Sequence, residues 1–315
     1  MGNRPAFSLT QLLYFATIAE TGNISEAAAR LHASQSAVSS AIQRLERQLG
    51  IQLLLRQRAK GVSLTPCGRL LLNDARKILL QVNNLEDNSN RFQGETAGHL
   101  DIGSCATITP FLIPRALTRV GYSHPGLNVA VHDTHTPVDL LRNGVCELAV
   151  TYSLSSAEDT CFTELATPPL YAVVAQNHPL ATTGKASLAE LSDETLLMPN
   201  PNLPPENSPL AYVRNLFTSS GIPLPKIANA TGIEAMRGLV AAGWGFMLTH
   251  HRPRSMETLD GGRVALVEIT GEHPHVSVGV LTMAGSMPSQ RARAFVAALR
   301  ATARQVYAPV SAVAA

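Results

Sequence analysis

SQSAVSSAIQRLERQLG, residues 34–50, reads as one helix with two faces. Val38, Ile42, Leu45 and Leu49 recur at helical spacing and form a stripe to bury. Gln35, Ser36, Ser39, Ser40, Gln43 and Arg47 fall on the opposite side, with Glu46 the single acid there. Ser34 suits the N-cap and Gly50 a left-handed stop. A rigid helix presenting amides and hydroxyls suits reading base edges in a major groove. Taken alone, the same face also fits an ordinary solvated surface, so its neighbours decide.

Upstream, Ser8-Leu9-Thr10-Gln11 is a capping box. Leu9, Leu12, Leu13, Ala16 and Ala19 mark the buried face of the helix that follows, and Gly22 ends it. A second helix is expected over 25–31, with Ala27 and Ala28 allowing close packing. His32-Ala33-Ser34 turns into the third helix, which completes a helix-turn-helix. Downstream, 53–56 and 62–64 read as two short strands. The basic turn between them carries Arg58 and Lys60, a wing placed to meet phosphates.

Residues 9–68 resemble the winged helix-turn-helix of LysR-type transcriptional regulators. The matching residues are Phe15, Gly22, Ala27-Ala28, Leu31, Ser34-Gln35, Ala37-Val38-Ser39, Ile42, Leu45-Glu46, Leu49-Gly50, Leu53, Arg56, Leu64-Thr65 and Gly68. The resemblance implies that Gln35, Ser36, Ser39 and Ser40 face the bases and that Arg56 holds the DNA backbone. Ser36 stands where that family usually has Pro, and Ser40 where Arg is common.

Pro66 can open a helix. Leu71, Ala75, Ile78, Val82, Leu85, Ser89 and Phe92 then alternate by four and three, a heptad seam for self-pairing over 66–92. The competing reading packs this helix on its own domain. The resemblance makes it a dimerisation helix, loosened at Ser89, before a hinge at 94–98.

Residues 98–306 alternate short apolar strands with helical stretches. Strands are expected at 100–103, 128–131, 148–151, 170–174, 246–248 and 276–281. Helices are expected at 107–119, 138–143, 210–220, 234–242 and 289–303. The pattern predicts parallel α/β sheets. It resembles the LysR effector domain, which is similar to two-lobed periplasmic binding proteins. The carriers are Ile102-Gly103 with Pro114, His124-Pro125-Gly126, Gly144 with Glu147-Leu148-Ala149, His178-Pro179-Leu180, and Val240-Ala241-Ala242-Gly243-Trp244-Gly245. Lobe I is then 98–168 plus 272–306, lobe II 169–271, and 307–315 a frayed tail.

In such a body a ligand sits where strands end and helices begin. The first junction offers Ser104, Cys105 and Thr107, whose hydroxyls and free N–H groups would favour a carboxylate or similar anion. The others offer Thr134, Thr151-Tyr152, Asn200 in a Pro-rich loop, and Thr231. Each of these residues could equally be a helix cap. Cys105 could carry a lowered thiol pKa and sense oxidants, or simply fill space. The pairs His132/His135, His250/His251 and His273/His275 lack companion ligands, so surface or capping roles are expected and no metal or cofactor.

Length suits two or three domains. The first 92 residues carry 11 Lys and Arg against 6 acids, the remainder 14 against 17. A basic head on a mildly acidic body points the head at a polyanion. Cys67, Cys105, Cys146 and Cys161 show no paired spacing, which argues against a disulfide framework or zinc site. The longest apolar run, 239–248, is too short to span a bilayer, and no leader is read, so a cytoplasmic protein is expected. No nucleophile elbow, P-loop or GxGxxG supports an enzyme. The expectation is a transcription factor with duplex DNA, a small effector and itself as partners, forming dimers through 66–92 and tetramers beyond.

Overall fold

The computed structural model describes residues 6–57, 61–90, 97–155, 157–199, 209–230 and 232–308. Arg58, Lys60, Phe92, Asn200, Thr231 and residues 309–315, all singled out above, lie outside this set.

Helices α1 (Leu9–Thr21), α2 (Ile24–Arg30) and α3 (Gln35–Leu49) form the head with strands β1 (Leu54–Gln57) and β2 (Gly61–Leu64). The capping box on α1 is present: Ser8 Oγ accepts from Gln11 N–H and Gln11 Oε1 from Ser8 N–H. Helix α2 starts one residue earlier than expected because Asn23 caps it, accepting from Ser25 and Glu26. Phe15, Ile18, Val38, Leu45 and Leu53 are fully buried between the three helices. Leu53 therefore belongs to the core, and the wing strand begins after it.

Helix α4 (Pro66–Asn90) grows from the wing. Gly68 lets it approach closely, since a Cβ there would sit 2.2 Å from the Leu53 carbonyl oxygen. Leu72 and Ala75 are buried in the head core, with Leu71 and Leu79 against it. So the start of the expected seam packs on its own head, as the competing reading had it. Ile78 and Leu85, further along, are exposed at 40% and 70%.

The body has two lobes. Lobe I carries β3 (Gly98–Cys105), α5 (Thr109–Ser123), β4 (Leu127–Thr134), α6 (Pro137–Arg142), β5 (Leu148–Tyr152) and β6 (Thr160–Ala166). The chain then builds lobe II from β7 (Tyr171–Ala175), α7 (Pro179–Thr183), β8 (Lys185–Ser187), β9 (Thr195–Met198), α8 (Pro209–Ser219), β10 (Lys226–Asn229), α9 (Ile233–Ala241), β11 (Met247–Thr249) and β12 (Val264–Thr270). It returns to lobe I for β13 (Val278–Met283) and α10 (Gln290–Val306).

The sheets are mixed rather than wholly parallel. Lobe I runs β4-β3-β5-β13-β6, with β13 antiparallel to both neighbours because it re-enters from the other lobe. Lobe II runs β11-β7-β12-β8, antiparallel except at β12–β8, and a parallel β9–β10 pair joins it through Leu196 and Phe246. Gly245 permits that junction: its φ is +138°, and a Cβ would lie 2.0 Å from the Thr195 carbonyl oxygen. Strands β6, β8, β9, β10 and β12 escaped the sequence reading. Strands β6 and β8 lie at the edges of the larger sheets, and β8, β9 and β10 run for only three or four residues, too short to show a period; β12, central and seven residues long, has no such reason.

Candidate functional sites in the head and between the lobes

Helix α3 buries Val38, Ala41, Ile42 and Leu45 and turns its other face outward. Ser34, Gln35, Ser36, Ser40 and Gln43 are exposed, and Ser39 is half-buried. Ser34 Oγ accepts from Ala37 N–H at 3.2 Å and lies 3.1 Å from Ser36 Oγ, so Ser34 caps the helix. Ser36 is thereby held on the first turn. Glu46, read as an outlier on the polar face, has a structural task. Its Oε1 accepts from the N–H groups of Leu53 and Leu54 at 2.8 and 3.1 Å, tying α3 to the start of the wing. Arg56 falls in β1, and the phosphate role expected of its side chain lies outside what is described.

Between the lobes lies a cavity of about 370 Å3. Lobe I contributes Cys105, Thr107, Phe111, Thr151 and Tyr152 to its wall. Lobe II contributes apolar side chains such as Val173, Leu197, Val213, Met236 and Met247, which carry the space into its core. Of the expected effector residues, Cys105, Thr107, Thr151 and Tyr152 meet here. Ser104 and Thr134 do not line it. Ser104 is fully buried beneath Thr109, 2.8 Å away, and Thr134 Oγ1 accepts from Thr136 N–H.

The polar groups of the cavity form two chains. Thr107 Oγ1 lies 3.0 Å from Tyr152 Oη, which lies 2.9 Å from His251 Nε2; His251 Nδ1 in turn lies 2.9 Å from Tyr307 Oη. The His251 ring stacks on Phe111 with centroids 4.5 Å apart and planes 12° from parallel. The second chain joins Tyr212 Oη to His250 Nε2 at 2.9 Å and His250 Nδ1 to the Pro169 carbonyl at 3.3 Å. A carbonyl can only accept, so His250 carries its proton on Nδ1 and accepts a hydrogen bond from the Tyr212 hydroxyl at Nε2.

These histidines were expected at the surface or as caps. They are instead buried, His250 to 7% and His251 to 1% exposure, and nothing in their spacing marks them. Burial pushes the His250 pKa down to about 4 and that of His251 to about 3. Burial likewise holds the Tyr152, Tyr212 and Tyr307 hydroxyls above the ordinary tyrosine range. All five groups are neutral at pH 7. Tyr307 is a further correction: it was placed in a frayed tail, yet it is half-buried against His251. Tyr307→Phe removes the His251 Nδ1 partner and is expected to cost roughly 1–2 kcal/mol. A melting temperature for the body equal to that of the unmodified chain would contradict this bond.

Of the two readings of Cys105, the space-filling one fits better: desolvation raises its thiol pKa, outweighing the hydrogen bonds from Thr107. Among the described residues no group of three or more His, Cys, Asp or Glu could hold a metal ion, and no helix is long and apolar enough to cross a membrane.

A winged helix-turn-helix joined by a long helix to a two-lobed body with an internal cavity defines a DNA-binding regulator with an effector-binding domain. Residues 9–69 match the family "Bacterial regulatory helix-turn-helix protein, lysR family", and residues 93–304 match "LysR substrate binding domain". The chain belongs to the LysR family, whose members are transcriptional regulators and not enzymes. It is 29% identical over 297 residues to the DNA-binding transcriptional dual regulator OxyR of Escherichia coli strain K12, covering 93% of this chain and 95% of that one. It is 30% identical to the "Hydrogen peroxide-inducible genes activator" of Pectobacterium carotovorum subsp. carotovorum over 76% of this chain and 79% of the relative. Among solved structures it resembles full-length CbnR complexed with its target DNA, at 25% identity and a TM-score of 0.64, covering 94% of this chain and all of the other.

Proposed function

We propose that this regulator reads duplex DNA through the outer face of α3 and is controlled by a small molecule bound between the two lobes. The observation that carries the second half is the cavity itself, walled by both lobes and crossed by the His251 contacts. A molecule that fills it touches lobe I and lobe II at once and so favours one relative arrangement of them. It can shift the protein only by its differential affinity for two arrangements, and DNA must in return change its affinity. The exposed Ile78 and Leu85 support pairing of α4 with a second copy, giving dimers that assemble into tetramers along DNA, in a cytoplasmic protein. Arg58 and Lys60 are assigned to phosphates on the sequence pattern, and Arg56 on the family resemblance.

Gln35 at the start of α3 is the side chain suited to a bidentate contact with a base. Gln35→Ala is expected to cost about 1–3 kcal/mol of site discrimination while leaving binding to random DNA nearly unchanged. Gel shifts with a selected genomic site and a scrambled duplex measure both. Equal losses on the two would refute the assignment.

The name of the Pectobacterium relative suggests peroxide sensing as a second reading. A thiol sensor needs a thiolate near neutral pH. Burial raises the Cys105 thiol and pushes Cys146 up to about 12. Cys67 and Cys161 are exposed, on α4 and on the edge strand β6, both away from the cavity. At the cleft and beneath it, raised thiols favour a bound effector over oxidation of Cys105 or Cys146.

A further inference from the structure

We infer that the effector is an uncharged, mainly apolar molecule of one or two rings carrying a single hydrogen-bonding group. This rests on the cavity between the lobes being the effector site, and it differs from the carboxylate expected from the hydroxyls at the start of α5.

The first observation is the charge of the wall. Among its described residues the permanently charged side chains are Glu234 and Arg237, and they are bonded to each other at 2.7 Å. Arg237 also gives Nη2 to the carbonyls of Ser255 and Glu257. No cation is left over for a carboxylate. An unpaired anion brought into such a space would lose its hydration without a counter-charge, a penalty of several kcal/mol. His250 and His251 supply none, since they are buried and neutral, and His135, the other histidine of the wall, is exposed to solvent.

The second observation concerns the helix ends that were to attract the anion. At the start of α5, Thr109 Oγ1 lies 2.7 Å from Asp133 Oδ1, so a carboxylate of the chain already stands there. The nearby amides are used as well: Ala106 N–H donates to the Thr134 carbonyl and Ile108 N–H to the Cys105 carbonyl. At the start of α9, Glu234 occupies the first turn. The positive ends of α5 and α9 are thus matched by acids of the protein itself, and a second anion at either would meet repulsion.

The third observation is size and lining. An apolar cavity of roughly 150 Å3 is enough to hold benzene. The 370 Å3 here leaves room for a second ring, with Phe111, Leu197, Val213, Met236 and Met247 as its walls. The polar end has neutral partners in Thr107, Tyr152 and Tyr212. Arg237, 8% exposed, keeps Nε as a buried donor without a partner among the described residues; because Glu234 already balances its charge, a neutral acceptor oxygen would satisfy it without adding a second anion.

The test uses full-length protein and matched probes sharing one ring system: 2-naphthol against 2-naphthoate, and indole against indole-3-carboxylate. Calorimetry and thermal shift at pH 7.5 are expected to show saturable binding of the neutral member of each pair. It should be at least about tenfold tighter than its anionic counterpart, equivalent to about 1.4 kcal/mol. Leu197→Trp, which fills the space, should abolish it, and Val213→Phe gives the same readout should the first variant fold poorly. Equal or tighter binding of either carboxylate overturns the inference, and so does the absence of saturable binding by both neutral probes at millimolar concentration. Neither result touches the DNA-reading role of α3, which the Gln35 gel shifts test separately.

Discussion

Acidifying the protein from pH 6.5 to pH 4.5 is expected to unfold the body at progressively lower temperature, with His250 and His251 responsible for most of the loss. Both are neutral in the folded chain, with pKa values lowered by burial to about 4 and about 3. In the unfolded chain each titrates near an ordinary value of about 6.5. Below pH 6.5 the unfolded state therefore binds protons that the folded state refuses. Stability from this source is complete above about 6.5 and falls with pH until the folded values are reached. Each histidine contributes a slope of up to about 1.4 kcal/mol per pH unit, so two units act on the scale of a whole domain's stability of about 5–15 kcal/mol. Thermal melts at intervals between pH 7.5 and 4.5 measure it. The double variant His250→Asn/His251→Gln should give a flatter profile over that window, separating the histidines from carboxylates that titrate lower. Parallel profiles for the two proteins would show that these rings do not carry the effect.

Glu46→Ala is expected to loosen the head and abolish DNA binding without touching any DNA-facing side chain. Its carboxylate accepts two backbone N–H groups, from Leu53 and Leu54, at the bend between α3 and the wing. Hydrogen bonds to a charged group contribute roughly 1.5–3 kcal/mol each, and both donors would lose their partner at once. The total, on the order of 3 kcal/mol, is large for a domain of three short helices and a hairpin. Glu46→Gln keeps an acceptor oxygen in place and should restore much of the loss. In contrast to Gln35→Ala, the Ala variant should weaken specific and random DNA alike. A head that melts unchanged after Glu46→Ala would remove this residue from the architecture.

The head was the legible part because its rules are local. Ser8, Gly22, Ser34 and Gly50 punctuate helices whose buried faces repeat within a few residues, and α1 and α3 lie within a residue or two of where that punctuation puts them. The body was legible only where a strand is buried on both sides. Strand β5 is such a run, and its expected bounds differ by one residue. Strand β6, on the edge of its sheet, alternates weakly and carries no comparable signal. The cleft divides along the same line. Thr107 and Tyr152 follow strands, so a strand-end argument finds them. His251 and Tyr307 are placed by contacts spanning 99 and 56 residues of sequence, and His250 by contacts spanning 38 and 81, which no local pattern encodes. The neutral effector inferred above departs from the carboxylate expectation for a related reason: Asp133 and Arg237, on which the charge argument turns, are not neighbours of residue 107 in sequence.

The point where lobe II joins lobe I has an evolutionary side. Ala166, at the end of β6, pairs directly with Val278, at the start of β13, so the two strands would make a plain β-hairpin if residues 167–277 were absent. Lobe II is therefore a cassette spliced into the bend of a hairpin. A change in its inner wall need not pass through the lobe I hairpin whose two strands frame it.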